Sequence, residues 1–409
     1  MPTLLYELVC PDLMRKDLFS STGMNSEKLS FGKQAMFFAV MLLLVGVVSF
    51  GLSEFLCRLF NPLGISYYPE TARYLDTLIV EEPIGYRNRP NLWGKFYGVE
   101  VRTNSLGLRE PEIPLDPPAG EIRILMLGDS FPFGIGVPYE QTLPHLLEEK
   151  LNAPGKPGYR YRVINMGVPS YNTEQELYQL ETLGPRLHPN IVILPYMVND
   201  IMPKMWVIDK RKSWYVNLAQ RSYAASLVAV LIHKLHVSVP EGIGKRAEIQ
   251  YRPPQFLPVS ASGGLQQESR DQYWPEFLDR YTPQNPGWIA VEQSLHGIQA
   301  LCRTKGWPFV ALTIDKGIPN EMVKNVGKRE GFPVVLLAPF EDPRWQDQDP
   351  ARYVNSPLDS HPNAAGNMLY ATLIQEQLQQ LGVLDALQAG KLRHSSELAA
   401  SGEGVPERQ

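Results

Sequence analysis

Hydrophobic positions are distributed along this chain in two different ways. Near its start, Ala35 to Leu52 reads AMFFAVMLLLVGVVSFGL, eighteen residues without a charge. As a helix rising about 1.5 Å per residue the run reaches roughly 27 Å, close to the ~30 Å hydrocarbon core of a bilayer. A buried core helix seldom goes so far without a polar residue. A cleaved leader would have a shorter apolar region and small residues at a cleavage site, whereas Glu54-Phe55-Leu56-Cys57-Arg58 follows here. The run is therefore expected to be an uncleaved anchor. Arg15, Lys16, Lys28 and Lys33 precede it, and Arg58 is the basic residue that follows closely. That asymmetry predicts a cytoplasmic N-terminus and an extracytoplasmic body, periplasmic or at the cell surface.

From Glu121 onward the apolar residues come in short runs separated by helical spacing. Ile122 to Leu127, Tyr161 to Ile164, Ile191 to Pro195, Phe309 to Ile314 and Val334 to Ala338 read as buried strands. Helices are expected at Leu143 to Leu151, from about Glu174, at Trp288 to Cys302 and at Ala364 to Leu381. Thr173 and Glu176 have capping-box spacing, and Asn363 is placed to cap the last helix. Short strands alternating with helices predict an α/β fold, a parallel sheet with helices on both faces. In such sheets functional groups gather at the carboxyl ends of the strands.

The remaining stretches set the boundaries. Residues 1–33 read as a cytoplasmic tail, 34–56 as the anchor, and 57–117, rich in Pro, Tyr, Asn and Gly, as a small β-containing stalk packed on the main domain. The main domain covers 118–385 and the polar tail 386–409 is expected to be disordered. Between Met202 and Pro286 the rhythm breaks, and this insertion reads as a lid, a substrate wall, a membrane-resting helix or an ordinary connecting subdomain. Its apolar piece, Tyr223 to Ile232, is too short to span a bilayer.

Composition narrows the function classes. With 44% hydrophobic and 20% charged residues the chain has an ordinary globular balance, and a net charge of −4 without a long basic block argues against a nucleic-acid partner. Cys10, Cys57 and Cys302 stand far apart, which disfavours a disulfide framework or a thiolate zinc site. His233 and His236 lack a carboxylate at ligand spacing and read as surface histidines, so no metal or cofactor is expected.

Four polar clusters carry the chemistry. Gly128-Asp129-Ser130 follows the first strand, Asn165-Met166-Gly167 the second and Asn199-Asp200 the third, while Asp359-Ser360-His361 precedes the last helix. Each alone is what turns and caps use. Together, in this order and at one sheet edge, they suit acyl transfer. A serine hydroxyl needs a base, which imidazole supplies near neutral pH, and a carboxylate would orient that imidazole. Ser130 is the candidate nucleophile, His361 the base and Asp359 the orienting acid. The backbone N–H groups of Ser130 and Gly167 and the side chain of Asn199 are candidate oxyanion donors, with Asp129 and Asp200 supporting them. A nucleophile elbow of the α/β-hydrolase kind is excluded, because Ser130 is followed by Phe131-Pro132 instead of x-Gly.

On these residues the chain resembles the SGNH (GDSL-type) hydrolases. The matching blocks are GDSFPFGIGV, INMGVPSYNT, LPYMVNDI and DSHPNAAGN, across roughly residues 118–384. Upstream, GYRNRPN and VRTNSLGLRE look like the leader of bacterial membrane-anchored members. The resemblance implies a flavodoxin-like three-layer α/β/α sandwich, with Ser130 as nucleophile, Gly167 and Asn199 completing the oxyanion hole, and His361 as base. Two positions depart from the pattern. Met197 stands where glycine is usual and would narrow the acyl pocket. Asp359 stands two residues before the histidine where three are usual, with Leu358 in the customary place, a spacing similar to that of SGNH-like proteins that acetylate exopolysaccharides.

The leading expectation is an anchored esterase acting on acyl esters of a saccharide or lipid. An acyltransferase that passes the acyl group to a polysaccharide hydroxyl is the second, and a non-catalytic scaffold with the same fold the third. Partners in polysaccharide modification stay unidentified.

Overall fold

Runs of buried branched residues build the centre of the fold. The computed structural model describes residues 30–153, 159–210, 214–234, 277, 279–314 and 317–390. Its described residues divide into one unit ending at Ser53 and another beginning at Glu54.

In the first unit, helix α1 (Phe31–Phe60, extending past the unit boundary) has an eighteen-residue window of mean hydropathy 2.6 with no buried residue. Among the described residues it is the helix long and apolar enough to cross a membrane. It continues beyond the charge-free run, through Glu54 and Arg58, which form an exposed i,i+4 ion pair.

The second unit begins with α2 (Tyr67–Leu75) and two antiparallel hairpins, β1 (Ile79–Glu81) with β2 (Gly85–Arg87) and β3 (Trp93–Phe96) with β4 (Val99–Arg102). Tyr97 and Gly98 turn the second hairpin with φ of 53° and 80°, the left-handed pair that a two-residue turn needs to match strand twist. Tyr74, Tyr86, Phe96 and Val101 of this segment share one core with Phe133, Ile135, Val168 and Tyr171.

Five parallel strands follow: β5 (Glu121–Met126), β6 (Arg160–Asn165), β7 (Ile191–Tyr196), β8 (Phe309–Thr313) and β9 (Val334–Leu336). Their spatial order, β6-β5-β7-β8-β9, is the flavodoxin-like order. Alternate side chains feed two cores. Ile191 and Ile193 pack with α4 (Leu143–Leu151) and α11 (Ala364–Gln380). Val192, Leu194 and Tyr196 pack with α5 (Thr173–Leu187), α9 (Pro286–Lys305) and α10 (Ile318–Glu330). The expected α/β/α sandwich is the fold observed.

Element ends differ from the expectations in small, explicable ways. Helix α5 is capped one residue earlier than Thr173. Asn172 Oδ1 accepts the Gln175 N–H (3.0 Å), and the Asn172 N–H donates to Gln175 Oε1 (3.3 Å). Glu176 is buried and Thr173 donates elsewhere, so neither serves in the box. Asn363 caps α11 as expected, accepting from Ala365 and Gly366. The first part of the insertion forms α6 (Trp206–Lys210), α7 (Trp214–Arg221) and α8 (Tyr223–Lys234). The side chain of His233, His236 and Cys10 lie outside the described residues, as does most of the polar tail. Residues 383–390 continue helically, and Leu384 is buried in the sheet core.

Candidate active site

Strand β5 ends in a buried sheet, so the chain must turn sharply at Gly128 and re-emerge as α3 (Ser130–Phe133). Asp129 caps this short helix, its Oδ1 accepting the Phe131 N–H at 2.9 Å. Ser130 is thereby the first helical residue at the carboxyl edge of the sheet, where a backbone N–H has no intrahelical acceptor.

A short antiparallel hairpin, β10 (Val354–Ser356) with β11 (Asp359–Pro362), brings His361 to this serine. On an extended strand, residues i and i+2 face the same side. The two-residue spacing of Asp359 and His361 therefore sets both side chains on one face. Asp359 Oδ1 lies 2.6 Å from His361 Nδ1, and His361 Nε2 lies 2.8 Å from Ser130 Oγ. With Nδ1–H donating to the carboxylate, Nε2 is left to accept the serine proton. Burial would lower the His361 pKa, but the Asp359 charge and hydrogen bond, with Asp129 beyond, hold it above the usual imidazole value.

Asn199 sits on the turn after β7. Its Nδ2 donates to Asp129 Oδ2 at 3.0 Å, an oxygen also 3.3 Å from Ser130 Oγ. An amide nitrogen carries two hydrogens, so one remains for an incoming oxygen. Burial raises the Asp129 pKa, opposed by the hydrogen bonds from Phe131 and Asn199 and by the His361 charge. Asp200, one residue on, faces inward: its Oδ2 accepts from Thr173 Oγ1 (3.2 Å) and the Met197 N–H (3.4 Å), tying this turn to the start of α5. Burial, then the charges of Glu176 and Asp129, push Asp200 well above the carboxylate range, and burial with the Asp129 charge does the same to Glu176. Met197 is half-buried against the core on the α4 and α11 side of the sheet.

Gly167 stands where its position demands no side chain. A Cβ there would lie 2.4 Å from Phe133 N and 2.9 Å from Asp129 O, both backbone. Its N–H donates to Asn165 Oδ1 at 2.9 Å, so service to an oxyanion requires sharing that hydrogen.

Several residues that hold this arrangement were not singled out from the sequence. Asn355 Nδ2 donates to Asp359 Oδ2 (3.1 Å) and to Ile135 O (2.8 Å), fixing the carboxylate. The Tyr67 ring lies 5.7 Å from the imidazole, centroid to centroid. The upstream blocks supply the props. Asn88, within GYRNRPN, donates to Gly167 O (3.2 Å), and Tyr86 Oη donates to Ser170 O (2.8 Å). Arg109, within VRTNSLGLRE, donates to the carbonyls of Phe133 (2.9 Å), Gly134 and Val137 (2.7 Å), bracing the loop after Ser130. Burial lowers the Arg109 pKa to about 10. Glu110 accepts the Asn165 N–H (3.0 Å) and pairs with Arg162. The two upstream motifs were visible as strings, but their targets lie far along the chain.

No family model matches the chain, and no curated protein matches it either. Solved structures do show a likeness. The crystal structure of TesA has a TM-score of 0.34 at 15% identity, over 63% of this chain and 99% of that one. A two-domain esterase (CEX) active on acetylated mannans, co-crystallized with mannopentaose, has a TM-score of 0.37 at 14% identity. That match covers 64% of this chain and 50% of the esterase. A GDSL-like lipase from Bacteroides thetaiotaomicron has a TM-score of 0.30 at 11% identity, over 63% of this chain and 88% of the lipase. Likenesses this remote say nothing of the reaction, which rests on the site geometry.

Proposed function

We propose that this chain is a membrane-anchored serine esterase that hydrolyses acyl esters through an acyl-serine intermediate. The observation that carries the reading is the unbroken hydrogen-bonded series from Asp359 through His361 to Ser130, at 2.6 and 2.8 Å. His361 takes the proton from Ser130 Oγ as the oxygen attacks the ester carbonyl. The carbonyl oxygen, now negative, is met by the second Asn199 hydrogen and the Ser130 N–H, with Gly167 N–H in reach of the same loop. Collapse expels the alcohol, which takes the proton from the imidazolium. Water then enters by the reverse course, with His361 again the base, and releases the acid.

Support for the anchor is the length and apolarity of α1, and the basic residues before it support an extracytoplasmic site, near the membrane. An acyl-saccharide or acyl-lipid is the substrate class proposed. The short Asp359–His361 spacing does not by itself favour transfer to a sugar, because the extended β11 makes that spacing geometrically sufficient. The deciding experiment assays the full chain and Ser130→Ala on short-chain aryl esters, with and without oligosaccharide acceptors. The wild type should release acid without acceptor and the variant should be inactive. Equal activity in both would sink the assignment. Product that forms only with acceptor would establish the transferase, and an inert wild type the scaffold.

A further inference from the structure

Among the described residues, helices α7 and α8 present a set of exposed apolar side chains. Trp214 and Leu218, one turn apart on α7, are 77% and 53% exposed; Val228, Leu231 and Ile232 share one face of α8 and are 40–54% exposed. The opposite face of α8 is occupied. Val230 packs with Ile65, Tyr68 and Leu358, the residue immediately before Asp359.

What covers the outward face is indicated by how α8 begins. Glu54 caps it: Oε2 accepts from Ser222 Oγ (2.8 Å) and the Ala224 N–H (2.9 Å), and Oε1 from the Tyr223 N–H (3.2 Å). The Arg58 guanidinium, paired with Glu54, lies 4.5 Å over the Tyr223 ring. Glu54 comes two residues after Leu52, the end of the charge-free run. The first turn of α8 is thus bonded to the residues that follow the apolar span. Tryptophan, tyrosine and arginine are the side chains suited to a headgroup layer, and a short helix with one apolar face lies in that layer without crossing it.

We propose that the outward face of α7 and α8 rests in the lipid headgroup region of the bilayer that α1 crosses. This rests on the reading of α1 as an anchor. The catalytic unit is then held to lipid at two places. The second is separated from the Asp359 hairpin by a single layer of packing, Val230 against Leu358.

Depth-dependent quenching tests this in the full chain reconstituted into phosphatidylcholine vesicles. In a Cys10→Ser background, an environment-sensitive fluorophore is placed at Ile232→Cys, at Leu44→Cys in α1 and at Lys324→Cys on the exposed surface of α10; Cys57 and Cys302 are buried. Lipids brominated near the headgroup should quench the label at 232 at least half as strongly as lipids brominated deep in the chain quench that at 44. The label at 324 should be untouched. Quenching at 44 with none at 232 would overturn the proposal and leave the anchor standing. No quenching at 44 would overturn the anchor itself, and with it the proposal. Emission at 232 that ignores bromine but shifts with protein density would make a second copy of the chain the occupant, which also overturns it.

Discussion

Replacing Asp359 by asparagine asks whether the short-spaced acid is a working member of the site. Three donors converge on the carboxylate: the His361 ring and backbone N–H on Oδ1, and Asn355 Nδ2 on Oδ2. Asn355 cannot turn its carbonyl toward the site without losing its bond to Ile135 O. An amide at 359 therefore meets a donor wherever its NH₂ points. Toward Asn355, two NH₂ groups oppose each other. Toward His361, the imidazole must become the acceptor, its hydrogen moves to Nε2, and Ser130 loses its base. Where that wrong tautomer arises in a triad, turnover falls about 10⁴-fold, and we expect a loss of that order in kcat for Asp359→Asn. A buried donor left unmatched costs about 1–3 kcal/mol, and about 1.4 kcal/mol is tenfold in rate. Adding Asn355→Ala removes the opposing donor, so the double variant should recover about tenfold over Asp359→Asn. Steady-state hydrolysis of an aryl ester, with each single variant as control, measures both effects. A loss of less than about tenfold for Asp359→Asn would show that Ser130 and His361 work as a pair, since an orienting acid is worth far more. A double variant no faster than Asp359→Asn would refute the tautomer argument.

The pH profile follows from the same geometry. His361 titrates above its usual value, so kcat/KM should rise with pH through a midpoint above about 6.5, and that midpoint should fall in Asp359→Asn. The sign for stability is opposite: the charged imidazolium favours the folded state, so its contribution is complete below about pH 6.5 and is lost as pH rises through the folded value. Asn199→Ala should lower kcat by about 10²–10³ with little change in KM, and a pure KM effect would exclude its oxyanion role. Gly167→Ala forces a Cβ against the backbone of Phe133 and Asp129, so kcat should drop while the urea midpoint falls; wild-type kinetics would show that the loop has slack. Arg109→Met leaves the carbonyls of Phe133, Gly134 and Val137 without their donor, and urea denaturation should show a loss of about 3 kcal/mol.

Which of these features could be read from the sequence depends on how local their physical cause is. Ser130, Gly167 and Asn199 each follow a buried strand by a few residues, and a parallel sheet brings its strand ends together whatever intervenes. The apolar runs alone therefore predicted their meeting. Asp359 was harder because the hairpin that carries it has no apolar run: β10 and β11 spell VNS and DSHP, half-buried except for Asp359 itself, which is buried. Without the knowledge that Asp359 to Pro362 is extended, a spacing of two reads as a missing residue, whereas on a strand it is the spacing that puts both side chains on one face. Asn88, Arg109 and Asn355 were invisible for a third reason. The partners of Asn88 and Arg109 lie 79 and 24 to 28 residues away, and Asn355, though only four residues from Asp359, is held in place by Ile135, 220 residues away; nothing at either end of such a long-range bond announces the other. Yet these are the residues that keep the loops after Ser130 and Gly167 and the Asp359 carboxylate in place. The two motifs upstream of β5 are thus best understood as parts of the candidate site: removing them should cost that site its geometry before it costs the sheet its fold.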